Sequence, residues 1–128
     1  MKMPESKYFH HKNFVVSDKS VVKNLTIAYQ TWGKLNQEKD NAILICHGYT
    51  NHHHALDKDV GWFNNLMGPG KALDTNKYFV ICSNMLGSSF GSTGPKSMNE
   101  KTNKPYGSTF PKIKNLDIIK AQKLLIEG

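Results

Sequence analysis

A chain of 128 residues with 38% hydrophobic content suits one ordinary globular domain able to bury a core. Its net charge is +7, yet every basic residue is a lysine, scattered singly from Lys2 to Lys123, which argues against a nucleic-acid reader built on clustered arginine. The N-terminal stretch MKMPESKYFHHKNF has no apolar leader core and no apolar run approaches the ~18 residues of a membrane span, so a soluble, cytoplasmic protein is expected.

Asn13 to Val16 and Leu25 to Trp32 carry β-branched and aromatic residues on either side of the polar stretch Ser17 to Ser20, which predicts an antiparallel pair. Leu25, Ile27 and Tyr29 alternate with Thr26, Ala28 and Gln30, as in a half-buried strand, and Gly33 closes the run. After the turn-like Lys34 to Asn41 comes AILIC, five consecutive apolar residues from Ala42 to Cys46, which predicts a central parallel strand covered on both faces. Loops leaving the carboxyl ends of such strands form ligand crevices, so His47 to His54 are expected at that mouth, with Gly48 permitting a close turn.

Trp62 to Met67 predicts a short helix with Trp62, Phe63, Leu66 and Met67 on one face, stopped by Gly68 and Pro69. Asp74 to Asn76 make a turn, and Tyr78 to Cys82 is a second buried strand, giving a βαβ-like unit and a parallel sheet. Asn84 to Gly107 is a long Gly/Pro/Ser-rich loop of the kind that is functional or mobile. Asn115 is expected to cap a helix through Ile126 with Ile118, Ala121, Leu124 and Leu125 as its apolar stripe. Cys46 and Cys82 each lie in an apolar run and are expected to be buried and reduced.

Of the chemistry-bearing patterns, His47, His52, His53 and His54 suggest metal ligands only weakly, since adjacent loop histidines give poor tetrahedral geometry; no metal site is expected. GPGKA lacks the spacing of a phosphate loop, and GSSFGSTG does not sit on a strand-to-helix turn, so both read as tight loops.

The stretches CHGYT, GPGKALDTNKYFVICSNMLG from Gly68 to Gly87, GSTGP, PYG, and Asp117 with AQKLL occur in order and with family-like spacing. Together they resemble the N-terminal part of the homoserine O-acetyltransferase family, over roughly Leu25 to Gly128. The resemblance implies the N-terminal part of an α/β-hydrolase fold, with antiparallel first strands leading into a mostly parallel sheet. It makes residues 1–128 a partial domain that stops before the nucleophile elbow. It also implies acyl transfer from acetyl-CoA to an amino-acid hydroxyl through a serine acyl-enzyme, in methionine biosynthesis, with no bound cofactor and family members often dimeric. Serine, aspartate and histidine of the triad are then expected outside these residues, and no GxSxG elbow within them.

One catalytic element implied by the resemblance falls inside the chain: Tyr49, whose backbone N–H would stand in the oxyanion hole. The alternative is a plain turn residue with its ring on the surface. Tyr49 stands where the family has leucine, Gly48 where it has alanine, Asn51 where it has glycine, Ser89 where cysteine is common and Gln30 where glutamate is usual. These departures leave homoserine, serine and simple ester hydrolysis open as outcomes. A non-catalytic remnant or interaction module is the other class of function.

Overall fold

A computed structural model of the chain describes residues 2–128. The elements are β1 (Lys7–Val15), β2 (Val21–Trp32), β3 (Ala42–Ile45), β4 (Phe79–Ser83), β5 (Met98–Asn99), β6 (Lys104–Pro105), a 3-10 turn at Gly107–Thr109, and α1 (Asn115–Glu127). The four longer strands are ordered β1-β2-β4-β3, and the chain divides into two compact units. One holds the N-terminal segment up to Lys7 with Tyr29–Ser83; the other holds Tyr8–Ala28 with Asn84–Gly128.

In the first unit the end of β2 pairs antiparallel with β4, from Tyr29↔Ser83 to Trp32↔Val80. β3 pairs parallel with β4 from Ala42↔Phe79 to Ile45↔Cys82. Antiparallel strands leading into a parallel pair is the expected arrangement. Gly33 closes β2 because nothing larger fits: its φ is +79° and a Cβ there would lie 2.1 Å from the Tyr78 carbonyl oxygen. Ala55, Met67, Val80 and Cys82 form the buried cluster, with Trp32, Ile45, Leu56, Trp62, Phe63 and Leu73 packed against it. Each fully buried side chain of the size of Met67 contributes about 2 kcal/mol.

Three expectations for this unit fail. β3 ends at Ile45 and is only half-buried, with Cys46 exposed, because β4 pairs one edge and no strand lies on the other among the described residues. Cys82 is buried as expected, and burial, then the charge of Cys46, pushes its thiol up to about 12. No helix forms over Trp62 to Met67. Six residues are too few to offset nucleation, and the Asn64 side chain instead bonds both backbone groups of Asp57. Phe63 and Met67 still reach the core, but Leu66 stays exposed. The crossover between β3 and β4 is therefore irregular, fixed by the Met67↔Leu73 bridge.

The first two strands both start earlier than expected, β1 at Lys7 and β2 at Val21. The alternation of Tyr8, Phe9, His10 and His11 is too polar to read as a strand by itself. α1 begins at Asn115, so Asn115 is its first residue and not its cap. The end is closed by the Asp117 carboxylate, which accepts from the Lys114 N–H at 2.8 Å and from the N–H and hydroxyl of Ser17 at 2.9 and 2.7 Å. Burial opposes the charge on Asp117, but these bonds hold its carboxyl below the usual range. Ala121 and Leu125 of the stripe are buried, and Ile118 and Leu124 are half-buried.

Candidate functional site

His47 to His54 leave the carboxyl end of β3 directly, as expected of a crevice loop. The loop turns at Gly48–Asn51, where the Asn51 N–H bonds the Gly48 carbonyl at 3.0 Å. His47 is buried and its Nδ1 bonds the same carbonyl at 2.8 Å. Gly48 has open space around its Cβ position and no positive φ, so the turn does not require glycine there. Tyr49 sits at the corner with its side chain fully exposed, and its backbone N–H makes no hydrogen bond with a described residue. The surface-turn description of Tyr49 thus holds for its ring, while its main chain keeps a donor to offer.

The far end of the loop is held by side chains. His53 and His54 are 1% and 2% exposed, and the Ser6 hydroxyl lies 2.6 Å from His53 Nε2 and 3.2 Å from His54 Nε2. A hydroxyl offers one proton and two lone pairs, enough to serve both imidazoles at once. Trp62 Nε1 donates to the His52 carbonyl at 2.8 Å. Burial, then the neighbouring histidines, lowers the imidazole of His53 to about 3; burial followed by the charge of His47 lowers His52, and burial followed by the charge of His52 lowers His54, with Asp57 opposing in both. All three are neutral at pH 7. Among the described residues no three His, Cys, Asp or Glu side chains converge as metal ligands.

The long loop after β4, expected to be functional or mobile, is ordered by hydrogen bonds to β2. Asn84 N–H bonds the Ala28 carbonyl at 2.7 Å, and Ala28 N–H bonds the Ser92 hydroxyl at 3.0 Å. Thr93 N–H bonds the Thr26 carbonyl, and the Thr26 N–H returns a bond to the Thr93 hydroxyl, both at 2.8 Å. Farther on, β5 and β6 form a small hairpin. Sequence reading missed this network; the alternation of small polar residues in GSTG was its only signal.

The letters GxSxG do occur, at Gly87-Ser88-Ser89-Phe90-Gly91, contrary to expectation. They do not make a nucleophile elbow: no helix follows them, and Ser89 is exposed on an irregular loop. Gln30, another position of departure, spends its amide on the Glu5 carbonyl at 2.9 Å.

No protein-family model matches the chain. Over 95% of its length it is 52% identical to the homoserine O-acetyltransferase of Methanosphaera stadtmanae, of which it covers 26%. Its structure matches the crystal structure of homoserine O-acetyltransferase from Bacillus anthracis with a TM-score of 0.89 at 37% identity, covering 99% of this chain and 37% of that one. It matches the crystal structure of esterase E22 with a TM-score of 0.88 at 33% identity, covering 96% and 37% of the two chains. The chain spans well under half the length of each of these proteins.

Proposed function

We propose, from the premise that this chain is a homologue of the homoserine O-acetyltransferases and shares their α/β-hydrolase fold, that it supplies the oxyanion loop of an acyltransferase whose triad lies outside these residues. The acyl donor in this reading is acetyl-CoA and the acceptor an amino-acid hydroxyl, that of homoserine or serine, in methionine biosynthesis in the cytoplasm. A serine hydroxyl attacks the thioester carbonyl while a histidine takes its proton. The tetrahedral oxyanion collapses, expelling the thiol, and the acceptor hydroxyl repeats the sequence on the acyl-enzyme.

The part of this chain is the Tyr49 N–H, which donates to the oxyanion. The observation that carries the assignment is its uncommitted state, at the corner of a turn directly after β3, in a loop whose other end is locked by Ser6, His53 and Trp62. A preorganised donor of this kind needs no rearrangement as charge develops.

Ester hydrolysis is the second reading, favoured by the equally good structural match to esterase E22. The full reading frame containing these residues separates the two when supplied with acetyl-CoA, with and without homoserine or serine. Thiol release that requires an amino-acid acceptor, with the O-acetyl product identified by mass, supports transfer. Release to water alone, together with turnover of simple acetyl esters, supports hydrolysis.

A further inference from the structure

The loop after β4 lines an open cleft of about 230 Å³ whose walls include Ser88, Ser89, Lys96 and Ser97. Its chemistry follows from counting donors. The Ser88 hydroxyl accepts from Asn84 Nδ2 at 3.1 Å and the Ser97 hydroxyl accepts from the Gly94 N–H at 2.9 Å, so each keeps its own proton to donate. Ser89 and Lys96 make no side-chain hydrogen bond or ion pair with any described residue. The lining contains no aspartate or glutamate. The cleft therefore presents three hydroxyl donors and one ammonium, with no anion to neutralise them.

The walls are fixed before any ligand arrives. Ser92 is tied to Ala28 and to the Asn84 carbonyl, the latter at 2.6 Å, and Thr93 is tied twice to Thr26. Gly94 lies so close to the other wall that a Cβ would stand 2.8 Å from the Ser88 carbonyl oxygen. The Ser97 carbonyl accepts from the Tyr106 N–H at 2.9 Å, which anchors the end of the cleft. The Ser88 and Ser97 hydroxyls, each already bonded within the loop, lose little freedom on binding, and a lysine beside hydroxyls suits a compact oxyanion with several acceptor oxygens.

We propose that this cleft is a phosphate-binding site. Three hydroxyls and an ammonium lining one cleft match the oxygens of a phosphate better than the two of a carboxylate. The phosphate is either the free ion or a group carried on a larger molecule such as a nucleotide. This assignment does not depend on the acyl-transfer reading, because it concerns binding to a loop that holds none of the proposed catalytic groups.

Isothermal titration of the full chain with inorganic phosphate, against sodium chloride at matched ionic strength, tests it. Adenosine 3′,5′-bisphosphate is the second probe, and Lys96→Gln and Ser89→Ala are the variants. Neither side chain holds the fold together, so both variants should keep the parent's unfolding midpoint; if one does not, the other carries the test. Expected is saturable phosphate binding absent with chloride, weakened about tenfold in either variant, the scale of one charge-assisted bond. Bisphosphate binding tighter than phosphate and equally sensitive to the variants assigns the site to a nucleotide-borne group; equal or weaker binding assigns it to the free ion. Absence of saturable binding by either probe, or binding unchanged in both folded variants, overturns the proposal.

Discussion

The loops that follow the two parallel strands are held in opposite ways. After β4, hydroxyls and main-chain groups of Ser92 and Thr93 pair with Thr26 and Ala28 of β2, so the loop serves as a substitute strand. After β3, the anchors are the buried side chains of His53 and His54 on Ser6, and the main chain at Tyr49 is left to solvent. A loop that completes a sheet commits its backbone. A loop that must offer a backbone donor has to be fixed through side chains placed elsewhere.

The largest effect expected from this contrast is catalytic. If, as proposed, the triad lies outside these residues, a backbone donor by itself accelerates little, so the 128-residue chain alone should show neither acetyl transfer nor an esterase burst. Saturable turnover of a nitrophenyl acetate ester with stoichiometric acyl-enzyme would break the contrast, because a nucleophile would then lie within these residues.

Stability separates the loops next. Ser92→Ala strands the Ala28 N–H in a buried position and should cost about 2 kcal/mol in urea unfolding. Gly48→Ala, in the other loop, meets open space at an ordinary φ and should cost less than ~0.5 kcal/mol. A reversed order would show that the β4 loop is loosely held.

Acidity gives a smaller and directional effect. His53 titrates near 3 when folded and at 6.5 ordinarily, so between these values the unfolded chain binds more protons. Its contribution is complete above 6.5 and is lost as pH falls toward 3. Asp117, lowered from 3.8, joins only below that value. Residues 84–95 contain no titratable side chain. Hydrogen-exchange protection factors compared at pH 7 and 5 should therefore fall for residues 52–56 and hold for Ser92 and Thr93. Equal loss in both loops would contradict the account.

Strands were legible where apolar residues alternate or run together, as in Leu25–Trp32 and Phe79–Cys82, since burial there follows directly from period. The histidine loop was legible in position, being whatever follows the apolar run, but its locking by Ser6 was not, because that contact joins residues 47 apart in sequence. The failed helix at Trp62 to Met67 has a local origin instead. Its apolar spacing is real, yet side-chain bonds from Asn64 to Asp57 won locally. GxSxG at Gly87 shows the converse: letters alone carry no nucleophile without the strand-to-helix turn beneath them.

The most direct test of the central claim is kcat for Tyr49→Pro beside Tyr49→Phe in the full enzyme. Phenylalanine keeps the N–H and removes a hydroxyl on a fully exposed ring, so its rate should match the parent. Proline removes the donor, and loss of one oxyanion bond is worth about 3 kcal/mol, a fall of roughly a hundredfold. A folded proline variant with parental kcat would contradict the assignment of Tyr49.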